Sequence, residues 1–270
     1  MFHNRMSYFT GLLLAFVLAC QPAGEKPGKL QAGSKADSTR HAPAATPETL
    51  THIPTSTPPT PRPAPYDTGP LERSLLEMGL VNVQDLSPEI EVYLRYATTR
   101  NFVGRPVYGK LRRCYLQPFV AKRLADAQDT LDSLRPGYRL LVWDCARPVR
   151  AQQKLWDSID KPEKLKPLYV APPEVGSIHC YGCAVDLTLL DSTGQALDMG
   201  TGFDHFGIKA YPREEARCVR EGLLTPQHIA HRKLLRKVMQ KARFYPITTE
   251  WWHFNKCSRK WAQEHYEIIP

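Results

Sequence analysis

Between Gln117 and Leu134 apolar residues recur at Phe119, Val120, Leu124, Ala127, Leu131 and Leu134, a stripe that stops at Pro136-Gly137. That spacing predicts an amphipathic helix with one face on a core. A second stripe, Ile229, Leu234, Leu235, Val238, Met239 and Ala242, follows Thr225-Pro226. A Thr cap and a proline in the first turn predict where this helix begins. A third helix is expected from Pro148 toward Ile159. Elsewhere the period falls to two: Ala184-Val-Asp186-Leu-Thr-Leu-Leu190 reads as a strand, with Ala184, Asp186 and Thr188 on one face and Val185, Leu187 and Leu189 on the other. Tyr138 to Trp143 and Trp251 to Asn255 read as further strands. The pattern predicts an α+β fold in which helices pack on a small, mainly antiparallel sheet. There is no internal repeat.

The N-terminal part of the chain has a different pattern. Met1-Phe-His-Asn-Arg5 precedes an apolar run from Gly11 to Ala19. This run is well short of the roughly 20 residues that span a bilayer, so it predicts an export signal. Ala19 before Cys20 resembles a bacterial lipoprotein box, which implies cleavage there, lipidation of Cys20 and attachment to a membrane by acyl chains. From Gln21 to Pro65 the chain holds ten of its 24 prolines and no Phe, Trp or Tyr, so it cannot build a core. It reads as an extended tether. The expected organisation is a leader over 1–19, a lipidated Cys and tether over 20–65, and one folded domain over 66–270. The formal charge of +9 favours residence near anionic envelope surfaces. No nucleic-acid motif accompanies that charge, and export would conflict with such a role. Nothing in the sequence sets an oligomeric state.

Two stretches carry the chemistry: Ser177-Ile-His179-Cys-Tyr-Gly182-Cys-Ala184-Val-Asp186 and Glu250-Trp-Trp-His253. On the first stretch alone, Asp186 reads equally as a metal ligand and as a buried acid paired with an Arg and capped by Ser177, since a carboxylate on a core strand needs a cation or donors. The second stretch shifts the balance. Two imidazoles and a carboxylate, His179, Asp186 and His253, can fill three corners of a tetrahedron and leave the fourth to water, as a catalytic zinc requires. Glu250, three residues before a ligand, is the spare carboxylate that a general base has to be.

The order Ser-x-His-x-x-Gly-x-Ala-x-Asp followed by Glu-x-x-His resembles the zinc D,D-peptidases, and within them the D-Ala-D-Ala dipeptidases typified by the vancomycin-resistance dipeptidase. Three more blocks are similar to that family: Tyr96-Ala-Thr-Thr-Arg-Asn101-Phe102-Val-Gly104, Asp144-Cys-Ala-Arg147-Pro148 and Asp198-Met199-Gly200-Thr201-Gly-Phe203-Asp204. The resemblance implies a zinc D,D-peptidase or hedgehog-like fold, with one Zn2+ per chain held by His179, Asp186 and His253. It implies Glu250 as the base that takes a proton from the attacking water and Arg147 as the oxyanion stabiliser. Asp204 is implied as the partner of the substrate ammonium, and Ser177 as a donor to the substrate carboxylate, with Tyr96 and Asn101 closing the pocket. For Arg147 a plain salt bridge to Asp144 is the alternative.

The implied substrate is D-Ala-D-Ala or a related D-amino dipeptide, met in the periplasm or at the cell surface during cell-wall peptide turnover. A peptidoglycan D,D-carboxypeptidase or endopeptidase on the same fold, and a non-catalytic zinc domain that binds D-Ala termini, are the competing readings. Asp204 favours the dipeptidase, because an anion at the amino end rejects acylated peptides. Three departures from the family stand out. Cys145 and Ala146 replace the usual Gly and Tyr, which predicts a wider, sulfur-lined wall beside Arg147, and Arg243-Phe244 replaces a common Gly-Phe. With Cys20 lipidated, Cys114, Cys145, Cys180, Cys183, Cys218 and Cys257 permit up to three disulfides with the pairing open. Cys180 and Cys183 read as a disulfide or as two buried thiols. His228 and His231 sit among basic residues and read as part of a solvated cationic face.

Overall fold

The computed structural model describes residues 69–270. The expected leader, the lipidation site Cys20 and the tether lie outside the described residues. In chain order the elements are α1 (Pro70–Glu77), β1 (Val81–Asn82), β2 (Glu91–Val92), β3 (Tyr115–Leu116), α2 (Pro118–Leu134), β4 (Arg139–Asp144), α3 (Val149–Asp157), β5 (Ala184–Leu190), α4 (Glu215–Arg220), α5 (Pro226–Lys241), β6 (Tyr245–Pro246), β7 (His253–Asn255) and α6 (Arg259–His265). β1 and β3 form an antiparallel ribbon, and the main sheet runs β2-β4-β5-β7-β6. Only the β2/β4 pairing is parallel in that sheet, so the sheet is mainly antiparallel.

Sequence and packing explain these elements. α2 begins with Pro118, whose missing N–H costs nothing at the first helical position, and buries Val120, Ala121, Leu124, Ala127 and Leu131 against the core. α5 begins with reciprocal capping: the Thr225 hydroxyl accepts from the His228 N–H at 3.2 Å while His228 Nδ1 accepts from the Thr225 N–H at 3.1 Å. α2 packs on β4 and α5 packs on α2. β5, the middle strand, is buried at all seven positions. Its alternation therefore separates two covered faces, one of them apolar and the other carrying Asp186. Across the sheet Asp144 on β4 lies opposite Asp186, and Asp186 lies opposite His253 on β7. Register alone thus aligns two acids and an imidazole on neighbouring strands.

Several expectations are corrected. The expected strand from Trp251 is shortened to His253–Asn255, although the Trp252 carbonyl still accepts from the Leu187 N–H at 3.1 Å. The basic side of α5 is not a uniformly solvated face. Arg232 is fully buried and donates from Nε to the Met199 carbonyl at 2.8 Å and from Nη2 to the Lys209 carbonyl at 2.9 Å. Arg236 grips Glu215 with two bonds of 2.8 Å. His228 and His231 hold Asp198, at its carboxylate (3.1 Å) and its carbonyl (2.7 Å). This side of α5 is an anchor for the segment after β5, whose sequence gives no sign that it folds back. All six cysteines in the described residues are free thiols, with only Cys257 partly exposed. Arg243 has φ +63°, a left-handed conformation that glycine adopts without strain, which gives a physical reason for the family's Gly there.

Candidate active site

His179 sits in the 3-10 turn Ile178–Tyr181, which Ser177 opens and Gly182 closes at φ +65°. A Cβ on Gly182 would come within 2.9 Å of Leu80 Cδ2 and 3.3 Å of the Gln117 nitrogen, so this turn requires glycine for both conformation and space. The His179 carbonyl accepts from the N–H groups of Gly182 and Arg147, both at 3.0 Å. The same turn therefore fixes an imidazole and the backbone of a guanidinium.

His179 Nε2, His253 Nδ1 and Asp186 Oδ1 converge at separations of 3.2, 3.3 and 2.9 Å. A tetrahedral ion with bonds of about 2.0–2.1 Å sets its ligand atoms about 3.3 Å apart, so the cluster has the right span. The outer nitrogens settle the tautomers. His179 Nδ1 donates to the Cys145 carbonyl at 2.8 Å, and His253 Nε2 donates to Asn255 Oδ1 at 2.8 Å. Neutral imidazoles held in this way turn bare nitrogens toward each other and toward a carboxylate, an arrangement that a proton or a metal cation relieves. The field at the cluster agrees. Burial opposes charge on His253, yet its hydrogen bond to Asp186 and the charges of Asp186 and Glu250 push it up to about 9. Burial would raise Asp186, but the two imidazoles hold it well below the usual carboxylate range.

Glu250 reaches within 3.8 Å of His253 Nδ1. Burial, with the nearby Asp186 charge, pushes its carboxyl above its ordinary value against the pull of His253 and Arg147. Arg147 is buried and donates from Nε to Asp144 Oδ2 and from Nη1 to Gln152 Oε1, both at 2.9 Å. Its Nη2 also bonds Asp144 and lies 3.6 Å from Asp186. The salt bridge to Asp144 and a place on the cavity wall therefore coexist, and one N–H on each terminal nitrogen is left over. Tyr108 donates to the other oxygen of Asp144.

A cavity of about 260 Å³ opens over the cluster. Its walls include Tyr96, Phe102, Arg147, Ser177, Asp204 and Glu250, and it is slightly smaller than typical ligand pockets, which run about 300–1,000 Å³. Asp204 has φ +60°. Its Oδ1 accepts from the Tyr96 hydroxyl at 2.9 Å and its Oδ2 from the Phe102 N–H at 3.4 Å. Burial pushes its carboxyl up to about 8, with Asp186 adding and the Tyr96 bond opposing. Ser177 Oγ accepts from the His179 N–H at 3.4 Å, which leaves the hydroxyl proton free to donate.

Two expectations fail here. Asn101 does not line the cavity: its amide donates to the carbonyls of Arg95, Thr98 and Arg105 and accepts from the N–H groups of Val103 and Gly104. It shapes the loop that presents Phe102. Cys145 and Ala146 are fully buried behind Arg147 and are absent from the cavity lining, so the wall is not sulfur-lined. Sequence reasoning passed over Asn255, although it lies two residues after His253 on a strand and hence on the same face. Tyr108, Gln152 and Arg259 carried no comparable signal.

A family profile described as D-Ala-D-Ala dipeptidase matches residues 76–270. The chain is similar to the D-alanyl-D-alanine dipeptidase of Escherichia coli (strain K12), at 34% identity over 179 residues that cover 65% of this chain and 83% of the relative. It is 28% identical over 211 residues to the enzyme of that name from Enterococcus faecalis (strain ATCC 700802 / V583), covering 72% and 98% of the two chains. The corresponding protein of Streptomyces coelicolor (strain ATCC BAA-471 / A3(2) / M145) is 31% identical over 193 residues, with coverage of 64% and 88%.

Proposed function

We infer, because the chain belongs to the D-Ala-D-Ala dipeptidase family, that it hydrolyses D-alanyl-D-alanine to two molecules of D-alanine with one zinc ion held by His179, Asp186 and His253. Bound there, zinc supplies Lewis acidity, which polarises the peptide carbonyl and acidifies a water. Glu250 takes the proton of the attacking water and hands it to the leaving amine, a double duty that suits a carboxyl raised above its ordinary value. Arg147, oriented by Asp144 and Gln152, offers its remaining N–H donors to the oxygen on which negative charge develops. Asp204 pairs with the substrate ammonium and Tyr96 holds Asp204 in place, while Ser177 donates toward the carboxylate end.

The observation that carries this reading is the convergence of base, ligand cluster, guanidinium and Asp204 on one small cavity. Asp204 also disfavours the carboxypeptidase reading, since an acylated amino end would meet a half-buried acid with no charge to offer it. The leader and Cys20 support a further proposal, that the protein is exported and lipid-anchored in the cell envelope.

The test is release of D-Ala from D-Ala-D-Ala by the purified protein, with and without a chelator, and by Glu250→Ala. Expected are turnover that chelation abolishes and zinc restores, and a Glu250→Ala protein that keeps its zinc while kcat falls about 10²- to 10⁴-fold. Undiminished turnover by Glu250→Ala would overturn the mechanism.

A further inference from the structure

Three carboxylates, Asp186, Asp204 and Glu250, line the cavity. A dipeptide adds a fourth at its C-terminus and needs a cation to meet it. Of the positively chargeable groups on the wall, His179 and His253 belong to the ligand cluster and Arg147 is tied to Asp144 and Gln152. Burial, with Lys209 and Arg232 nearby, lowers His205 from its ordinary value and so disfavours its charged form.

Arg259 remains. It is the first residue of α6, half-buried on the cavity wall, and among the described residues its guanidinium has neither a hydrogen bond nor an ion pair. α6 packs on the 3-10 turn Ile178–Tyr181, the turn that Ser177 caps, so Arg259 and Ser177 flank the same part of the wall. Asp204 is held from elsewhere, by Tyr96 and the loop of Phe102.

We propose that Arg259 is the specificity-determining residue that binds the free C-terminal carboxylate of the substrate, with the Ser177 hydroxyl as a second donor. The inference rests on the dipeptidase reading of this site. A guanidinium presents paired N–H donors that match the two oxygens of a carboxylate, and it stays charged at every working pH. Asp204 and Arg259 together make the cavity a reader of zwitterions: one selects the ammonium, the other the carboxylate, and the small volume leaves little room for a longer chain.

The experiment compares the wild-type protein, Arg259→Gln and Arg259→Lys on D-Ala-D-Ala and on its C-terminal carboxamide, with zinc content measured on each protein. A hydrogen bond to a charged group corresponds to roughly 10- to 100-fold in affinity. Arg259→Gln is expected to raise KM for the free acid by about that factor with kcat changed only a few-fold, to leave the carboxamide unaffected, and to keep its zinc; Arg259→Lys recovers part of the loss. Equal losses on both substrates, or no loss on the acid, would overturn the role of Arg259. A wild-type protein that turns over neither substrate would sink the dipeptidase reading itself.

Discussion

Replacing Asp204 by Asn tests the ammonium-reading role with little steric change. Asn fits the same space, tolerates the φ of +60° found there and can still accept from Tyr96. What it loses is the charge, together with the second acceptor, Oδ2, that meets the Phe102 N–H at 3.4 Å. A charge-assisted bond exceeds its neutral counterpart by about 1–2 kcal/mol, so kcat/KM on D-Ala-D-Ala should fall about 5- to 30-fold once the wild-type carboxylate is ionised. Ionisation sets the pH dependence. With its carboxyl pushed up to about 8 by burial, Asp204 is neutral in acid and gains its charge as pH rises, so the ratio of wild-type to Asp204→Asn activity should grow from pH 6 toward pH 8. Above about 8 the substrate's own ammonium is lost and the ratio should fall again. The positive charge of a bound metal favours the carboxylate, which moves the rise to lower pH without changing its sign. Stability moves the opposite way. A carboxyl whose folded value lies above its unfolded value of about 3.9 contributes stability at low pH that is lost as pH climbs toward 8. The melting temperature of Asp204→Asn relative to the parent should therefore rise between pH 4 and pH 8. Steady-state kinetics on D-Ala-D-Ala and N-acetyl-D-Ala-D-Ala from pH 5 to 9, with thermal melts at both pH extremes, check this. Equal losses on the two substrates, or a ratio that does not vary with pH, would refute the reasoning.

Asn255→Ala removes the acceptor that holds His253 Nε2 at 2.8 Å, and loss of such an outer partner typically lowers metal affinity about 10- to 100-fold; chelator competition measures it, and unchanged affinity would deny Asn255 that role. Arg243→Gly relieves a left-handed residue at φ +63°, worth about 1–2 kcal/mol, against about 0.5–1 kcal/mol of added chain entropy. The variant should gain up to about 1.5 kcal/mol in denaturant unfolding, whereas Arg243→Ala should gain nothing.

Sequence periodicity exposed the elements that later carry the site, because β5 alternates and α2 and α5 have apolar stripes. His179, Asp186, Glu250 and His253 were legible because they fall in two short stretches of unusual residue types, and the structure brings those stretches together through the pairing of β5 with β7. What escaped notice depends on register and on long-range return of the chain. That Asp144 stands opposite Asp186 follows from a register shift in β4/β5 that no local pattern encodes. Asn101 was expected in the pocket through the family resemblance of the Tyr96–Gly104 block, yet a short amide is well suited to bonding its own loop. Arg232 and Arg236 looked solvated because helical spacing of charges says nothing about a segment 21 to 33 residues earlier that folds over them.

The loop of Asp204 shows why such buried anchors matter to the chemistry. Asp204 combines a left-handed backbone with a carboxyl whose ionisation is opposed by its surroundings, and both costs persist only where neighbours over-determine the conformation. Arg232 ties down the carbonyls at the two ends of the segment, Met199 and Lys209, and the Trp251 indole donates to Thr201 Oγ1 at 2.7 Å. Trp251 directly follows Glu250, and the Arg232 guanidinium lies 5.5 Å from its ring centre. The base and the proposed ammonium partner are thus fastened to one buried arginine, so the spacing between the reacting bond and the charged end of the substrate is set by the core and not by the mobility of either loop.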